Sequence, residues 1–382
     1  MANILISTQR LLGHLLPGIK LGMELKKKGH HVVMLGHTSN QKMICESELD
    51  FISIGWDKVP NLYLYEFYSE IIDQIDKKRF DLFICDSTQS PPVYVAEKLN
   101  IPWVSFQTTI PLPEEFMPGR AKVNRRLRNE YTNHLNTLRN RIGLPPLDSE
   151  LYRTRGDLVG LSSQLHLIMV YPELIDETIT TYFPPNTYVV GNINYQKNTL
   201  SPQIKKILAT HKTKILVCTS SIPRLEYRES MNRYIETTID LFANNMDIQL
   251  LISDTQDWWG EELPLNVEWI QETPIHDQLI PYADIVVTHG GCGTLQNVIK
   301  SGKPMVIIPL GGDHEVLGDK CRRLEIAELI FPEDLTPERL AHAIQVTMER
   351  KESSQLLALM KKTKGYQPEI RSAELVEDII LR

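Results

Sequence analysis

Two histidines next to glycines follow apolar runs, one in each half of the chain. His14 lies in "GHLLP", shortly after "NILIST", and His289 lies in "VTHGGCGT", directly after "DIVVT". An imidazole with its ordinary pKa, about 6.5, suits a general base at neutral pH. A glycine-rich turn ahead of a helix opens backbone N–H groups to an anion, above all a phosphate. The two motifs predict a base in the first half and a phosphate site in the second.

Asp86 is the candidate partner of His14. It ends the apolar run "FDLFICD", which predicts a strand whose carboxyl end lies at the same sheet edge as the end of "NILIST". A carboxylate there can accept a hydrogen bond from the imidazole, hold its tautomer and stabilise its protonated form. His30 and His31 open the next strand at the opposite edge of the sheet, and we interpret them as structural. With Asp86 available, we predict that His14 and Asp86 form a catalytic pair.

The turn after His289 contains Gly290, Gly291 and Gly293 and reaches a helix near Thr294. Its N–H groups, the threonine hydroxyl and the imidazole can contact two consecutive phosphates. A tight structural turn capped by His289 is the alternative. The turn has neither the G-K-[ST] of a Walker A loop nor the G-x-G-x-x-G spacing, which counts against nicotinamide and flavin binding.

A second polar turn, "LGGDHEVLGDK", follows the apolar run "PMVIIP". It brings Asp313 and His314 to the carboxyl end of a strand that neighbours the His289 turn. A carboxylate accepts hydrogen bonds from vicinal hydroxyls, so this turn predicts a sugar site beside the phosphate site. A helix N-cap is the structural alternative for Asp313.

Alternating strand and helix patterns run through both halves and predict an α/β fold with parallel sheets. Residues 183–203, rich in Pro, Asn and Gly, are predicted to be a linker. We therefore predict two doubly wound, Rossmann-like domains that face each other across a cleft. The predicted ranges are 1–200 and 201–360, and residues 361–382 form a C-terminal helix that packs back on the N-terminal domain.

Composition excludes several classes of protein. The net charge of −7 over 382 residues argues against nucleic acid as a partner. The five cysteines are scattered and favour neither a disulfide framework nor a metal site. No apolar run approaches the ~20 residues of a membrane span, and "MANILIST" does not have the pattern of a signal peptide. We expect a cytoplasmic protein without stable membrane insertion, either a monomer or a homodimer.

These motifs together resemble family 1 of the GT-B nucleotide-sugar-dependent glycosyltransferases, which includes macrolide transferases. "GHLLP" resembles the family's G-H-x-x-P, "ICDSTQSPPVYVAEKLNIPWVSF" its partner-aspartate region, "LNTLRNRIGLPPL" a stretch of the bacterial macrolide branch, and "YADIVVTHGGCGTLQNVIKSGKPMVIIPLGGDHEVLGDKCRRLE" its donor signature. The resemblance covers nearly the whole chain. It implies inverting, metal-independent transfer of a sugar from a nucleotide co-substrate, with no cofactor.

The resemblance also assigns roles to residues. His14 would be the base and Asp86 its partner. The remaining implied positions are the diphosphate contacts Ser220, His289, Gly290, Gly291, Gly293 and Thr294, the sugar contacts Asp313 and His314, and the nucleoside contacts Thr273, Ile275 and Asn297.

Several positions depart from the family pattern. Thr273 stands where the family often has a tryptophan that stacks on the base, although Trp269 is nearby. Asn297 replaces a glutamate that often binds both ribose hydroxyls, which leaves uridine and thymidine donors open. Leu317 replaces an asparagine, and Ser220 a glycine.

Residues 55–70 and 105–165 are expected to line a lipophilic acceptor cleft for a polyketide, terpenoid or phenolic compound, unless their apolar side chains only pack the domain. Other proteins of this architecture remain open as alternatives: a sugar 2-epimerase, a lipid-linked sugar transferase, or a degenerate relative that activates a partner transferase. The departures motivate the last of these, and His14 with Asp86 counts against it.

Overall fold

The computed structural model describes residues 1–55, 63–75, 79–110, 133–147, 161–195, 200–220, 225–272, 275–311 and 313–381. The chain divides into two compact units. Unit 1 contains residues 1–195 and 367–382, and unit 2 contains residues 196–366. The predicted boundaries after residues 200 and 360 lie a few residues from these.

The core of unit 1 is a parallel sheet of seven strands. Its strands are β1 (Asn3–Ser7), β2 (His31–His37), β3 (Asp50–Ile54), β4 (Leu82–Asp86), β5 (Trp103–Gln107), β6 (His166–Ile168) and β7 (Thr187–Val189). Their order is β3-β2-β1-β4-β5-β6-β7, so the chain reverses direction across the sheet between β1 and β4. Ligands of doubly wound sheets bind at such a switch point, outside the carboxyl ends of the strands. His14 follows β1, and Asp86 ends β4.

Helices cover both faces of this sheet. Those of unit 1 are α1 (Leu12–Lys27), α2 (Gln41–Glu46), α3 (Leu64–Ile75), α4 (Ser90–Lys98), α5 (residues 133–141), α6 (Glu177–Thr180) and α14 (Pro368–Ile380). One apolar core joins the sheet to α1 and α14, and a second joins it to α3, α4 and α5. Burial on both faces explains why the long strands are apolar at nearly every position.

Helix α1 begins earlier than its sequence suggests. A proline favours the first turn of a helix, so the pattern around Pro17 predicts a start near that residue. Instead α1 starts at Leu12 and contains Pro17 in its interior. The earlier start places His14 in the first turn of the helix, where the backbone fixes the direction of its side chain.

Two short strands were absent from the sequence prediction of unit 1. They are β6 and β7, of three residues each. β7 lies within residues 183–203, so the prediction that this whole range is a linker was wrong. Three residues are too few to show a strand periodicity, and the flanking prolines and glycine dominate the local pattern.

The C-terminal helix α14 packs against α1 within unit 1. Glu377 of α14 accepts hydrogen bonds from Lys28 Nζ at 2.7 Å and pairs with His30 Nε2 at 3.3 Å. The hydrogen bond from Lys28 is the main cause of the lowered pKa of Glu377. His30 and His31 therefore have structural contacts, the latter with Asp50 at 2.8 Å.

Unit 2 is built on a parallel sheet of six strands. They are β8 (Thr213–Cys218), β9 (Ile248–Ser253), β10 (Val267–Ile270), β11 (Ile285–Thr288), β12 (Met305–Ile307) and β13 (Ala327–Leu329), in the order β10-β9-β8-β11-β12-β13. Its helices are α7 (Pro202–Leu208), α8 (Leu225–Phe242), α9 (His276–Leu279), α10 (Cys292–Ser301), α11 (His314–Arg323), α12 (Pro337–Glu349) and α13 (Ser354–Lys364). The switch point lies between β8 and β11, and His289 directly follows β11.

No helix among the residues that the structure describes is long and apolar enough to cross a membrane.

Candidate functional site

His14 and Asp86 form a direct pair at the switch point of unit 1. His14 Nδ1 lies 2.9 Å from Asp86 Oδ2. Because a carboxylate only accepts hydrogen bonds, Nδ1 must carry a proton, and in the neutral ring Nε2 then holds the lone pair. The His14 side chain is 18% exposed and that of Asp86 is fully buried. The pair therefore presents a proton-accepting nitrogen on a ring whose orientation a buried carboxylate holds.

The buried carboxylate of Asp86 is supported by neighbouring donors. Its Oδ1 accepts from the backbone N–H of Thr88 at 3.0 Å and from the Thr88 hydroxyl at 2.6 Å, and its Oδ2 accepts from Gln9 N–H at 3.3 Å. Burial alone would raise the pKa of Asp86, but the attraction and hydrogen bond of His14 and the hydrogen bonds of Thr88 together lower it. The aspartate is thus ionised at neutral pH and favours the protonated imidazole that a base becomes.

Space is open beside this pair. A Cβ built on Gly13, the residue before His14, would meet no atom of the described residues outside its own helix within 4 Å, and Gly13 is exposed. Its conformation does not require glycine, since its φ is not in the left-handed region. The space next to Gly13 is therefore not filled by described residues from other parts of the chain.

The glycine-rich turn of unit 2 leads from β11 into α10. Gly290 has φ +89, and a Cβ there would lie 3.1 Å from Ile307 and 3.3 Å from His314 Cβ. Gly291 is the N-cap, and α10 begins at Cys292. The helix therefore starts two residues before the predicted position at Thr294. Gly293 and Thr294 belong to its first turn, whose N–H groups have no acceptor inside the helix.

His289 lies over this turn. It is 6% exposed, and its Nε2 is 2.6 Å from the position that a Cβ of Gly291 would occupy. Burial, with the nearby His314 and His276, lowers the pKa of His289 to about 3, against the weaker opposite effects of Cys218 and Asp313. His289 is therefore a neutral imidazole at pH 7, and one of its two ring nitrogens carries a proton that it can donate.

Asp313 and His314 lie at the start of α11. Asp313 occupies the N-cap position, but its side chain makes no capping hydrogen bond, and it is 8% exposed. The rings of His314 and His289 have centroids 5.0 Å apart at 75°. The structure thus brings the two predicted turns together at one edge of the unit 2 sheet.

The described nucleoside positions, Ile275 and Asn297, lie at α9 and α10 of unit 2. Ile275 is buried at the N-cap of α9, and Asn297 lies one turn after Thr294 on the same face of α10. Ser220 follows β8 and is half-buried. Leu317 is fully buried and packs inside unit 2. Thr273 lies outside the described residues, as does most of the predicted acceptor lining, residues 56–62, 111–132 and 148–160.

Trp269 packs in an aromatic cluster with Trp258 and Trp259. Its ring centroid lies 5.3 Å from that of Trp258 and 5.7 Å from that of Trp259. Its Nε1 donates to the carbonyl of Gln256 at 2.8 Å. The indole therefore has packing and hydrogen-bond partners within unit 2, and these partners hold it in the cluster.

His276 was missed by sequence reasoning. It is the first residue of α9, and its Nδ1 lies 3.4 Å from the Thr294 hydroxyl in the first turn of α10. Burial lowers its pKa to about 4. A histidine that opens a helix shortly after a strand was the pattern that singled out His14, and "TPIHDQL" after "VEWIQ" has the same pattern.

Among the residues that the structure describes, no group of three or more His, Cys, Asp or Glu side chains is arranged to hold a metal ion.

Gly293→Ala is expected to separate ligand binding from folding. A Cβ at Gly293 would meet nothing within 4 Å, so alanine fits and should raise the free energy of unfolding by up to about 1 kcal/mol. The same methyl group would stand where a phosphate approaches the N–H groups. We expect an unchanged or higher Tm with UDP affinity at least about tenfold weaker, measured by calorimetry.

Gly290→Ala is the matched contrast. Its φ of +89 and its close neighbours strain any side chain, so this variant should lose stability by at least about 1 kcal/mol. Wild-type UDP affinity in Gly293→Ala would show that the open space beside α10 is not the phosphate site.

Known proteins resemble this chain in sequence. Residues 240–380 match the family model of the erythromycin biosynthesis protein CIII-like C-terminal domain. A sterol 3-beta-glucosyltransferase of Arabidopsis thaliana, UGT80B1, is 34% identical over 101 residues, 26% of this chain and 16% of that protein. A sterol 3-beta-glucosyltransferase of Saccharomyces cerevisiae (strain YJM789) is 23% identical over 413 residues, 94% of this chain and 34% of that protein. The chain spans less than two thirds of the length of these relatives.

Solved structures resemble the whole chain. The glycotransferase of kitacinnamycin has a TM-score of 0.78 at 23% identity, over 99% of both chains. The spinosyn forosaminyltransferase SpnP has a TM-score of 0.77 at 14% identity. The glycosyltransferase VinC, solved in complex with dTDP, has a TM-score of 0.71 at 19% identity. Both matches cover all of this chain and all of the other chain. At these identities the likeness establishes the fold. This chain has the GT-B fold, and its residues 240–380 are similar to the erythromycin biosynthesis protein CIII-like C-terminal domain.

Proposed function

We propose that this chain is an inverting glycosyltransferase that moves a sugar from a nucleoside diphosphate to a hydroxyl of a lipophilic small molecule. The observation that carries the proposal is the pairing of His14 with the buried Asp86 at 2.9 Å. A partly exposed imidazole with a fixed tautomer, beside open space, is the arrangement that a general base needs. The family match and the names of the relatives support the same reaction class.

In this reaction His14 Nε2 takes the proton of the acceptor hydroxyl as its oxygen attacks the anomeric carbon. The new C–O bond forms opposite the bond to the diphosphate, which breaks with its electron pair on the phosphate oxygen. The anomeric configuration therefore inverts. The proton passes from His14 to solvent after the reaction, and Asp86 stabilises the imidazolium in between.

The donor would lie on unit 2. The N–H groups at the start of α10, the Thr294 hydroxyl and an N–H of His289 would bind the diphosphate, and Asp313 with His314 would bind sugar hydroxyls. These donors face developing negative charge at a helix N-terminus. We propose that this set acts without a metal ion or a further cofactor.

The donor nucleotide is proposed to be UDP or dTDP. Asn297 places an amide where the family pattern has a carboxylate for two ribose hydroxyls, and this favours a deoxyribose with one hydroxyl fewer. The dTDP complex of VinC shows that a protein of this fold binds that nucleotide.

Acceptors of the proposed class carry a hydroxyl on an apolar skeleton. The relatives are named for sterols, and the structural neighbours for kitacinnamycin and spinosyn. We propose a monomer or homodimer as the active form, in the cytoplasm.

The test is a mass-spectrometric screen of phenolic, sterol and macrolide acceptors with UDP-glucose and dTDP-glucose. We expect products one hexose heavier, with a β-linkage from these α-linked donors by NMR. Products with retained configuration would overturn the mechanism. Epimerised donor without acceptor would indicate the epimerase alternative. No binding of either nucleotide would refute the transferase proposal.

A further inference from the structure

Three histidines from three different elements gather at the start of α10. His289 lies over Gly291, and its ring is 5.0 Å from that of His314 at the start of α11. His276, at the start of α9, reaches the Thr294 hydroxyl at 3.4 Å and acts electrostatically on His289. We call His276, His289 and His314 the three-histidine cluster.

Burial holds two members of this cluster, His276 and His289, in their uncharged form. The pKa of His289 is about 3 and that of His276 about 4, both lowered first of all by burial. In His289 the nearby imidazoles lower the pKa further, because two positive charges so close would repel each other. Without a ligand, His276 and His289 are therefore neutral at pH 7.

Several acidic groups and two thiols of the described residues lie near the members of this cluster in the chain or act on them. Asp313 favours the protonated form of His289. Asp277 follows His276, and burial raises its pKa to about 6. Burial also raises the pKa of Asp254, just past the end of β9. The thiols of Cys218 and Cys292, in β8 and α10, are buried.

A diphosphate bound at this turn would bring at least two negative charges against neutral imidazoles. Nearby negative charge raises the pKa of a histidine, by amounts that grow as the site is more buried. Protonation of an imidazole would then place positive charge next to the bound diphosphate. Linkage requires that such a pKa rise strengthen anion binding as the pH falls.

We propose that a nucleoside diphosphate binds to unit 2 with uptake of a proton from solvent by the three-histidine cluster. The proton is released when the diphosphate leaves. That the ligand is a nucleoside diphosphate rests on the proposed function. That a proton taken up on binding balances part of its negative charge goes beyond that function. His276 acts here as a positioning residue, because it contacts Thr294 in the first turn of α10 and adds a further titratable ring.

The experiment is calorimetry of UDP binding at pH 7.5 in MOPS, HEPES and Tris, which avoids phosphate as a competing anion. These buffers differ in ionisation enthalpy, so the dependence of the observed enthalpy on the buffer gives the number of protons taken up. UDP itself is largely ionised at this pH, since the last phosphate pKa is about 6. We expect net uptake of a substantial fraction of one proton. From pH 7.5 to 8.5 the Kd should rise by up to about tenfold, the limit for one proton.

Two variants identify the groups. His276→Asn should reduce the proton uptake and flatten the pH dependence of Kd. Asp277→Asn is the matched control, because it removes the neighbouring acid and leaves the cluster complete, so uptake at pH 7.5 should persist. Loss of uptake in Asp277→Asn alone would assign the proton to the carboxyl and overturn the proposal.

Different results would refute this inference and the proposed function on which it rests. UDP and dTDP binding with no net proton uptake at any pH from 6.5 to 8.5 would overturn the inference and leave the transferase intact. Absence of binding of both nucleotides would instead refute the proposed function.

Discussion

His14→Ala is expected to lower the kcat of glycosyl transfer by about 10²- to 10⁴-fold, the usual contribution of a positioned base. The variant keeps the fold, because the ring is partly exposed and lies in the first turn of α1. UDP affinity should not change, since the predicted donor contacts belong to unit 2. Transfer rates under donor saturation, with calorimetry of UDP binding, measure both quantities.

His31→Ala is the matched control for this variant. His31 Nε2 pairs with Asp50 Oδ2 at 2.8 Å in the same unit, but both side chains are exposed. Its loss should leave kcat within about twofold of wild type, because exposed pairs contribute little. Equal kcat in His14→Ala and wild type would exclude His14 as the base.

Asp86→Asn is expected to lower kcat by about two orders of magnitude or more, through the tautomer of His14. An asparagine whose amide nitrogen faces Nδ1 donates to it, so that Nε2 must carry the proton and can no longer accept one from the acceptor. The variant also lacks the negative charge that stabilises the imidazolium. Single-turnover transfer rates from pH 6 to 9 measure the loss, which should persist at every pH.

This substitution should also cost stability at neutral pH. The pKa of Asp86 is lowered in the folded protein, so its ionised form stabilises the fold. That contribution is complete above the ordinary carboxyl range, about 4, and is lost as the pH falls through the lowered value. Urea unfolding should therefore show a larger difference between Asp86→Asn and wild type at pH 7 than at pH 3. Asp50→Asn, at the exposed pair, is the control and should have nearly the wild-type free energy of unfolding at pH 7. A wild-type kcat in Asp86→Asn would refute the role of Asp86 as the partner of His14.

The long elements could be predicted because their signals are local. β1, β4 and β11 are apolar runs. β1 ends shortly before His14, β4 ends at Asp86, and β11 ends at Thr288. Helices alternate with the strands along the chain. The short strands β6 and β7 could not be predicted, because three residues hold too little periodicity and their place depends on pairing, of β6 with β5 and of β7 with β6. The start of α1 was predicted too late for a related reason. Propensity places prolines in the first turn of a helix, whereas packing of α1 on the sheet stabilises a helix with Pro17 in its interior.

The sequence by itself determined which residue types stand at strand ends: a histidine and an aspartate in the first half, and histidines with glycines in the second. Only the tertiary structure decided which of them meet. His14 and Asp86 are 72 residues apart and pair because β4 lies beside β1. His276 reaches Thr294 because α9 packs on α10. Residue chemistry is carried by the chain, but distances between side chains far apart in sequence are set by sheet order and helix packing.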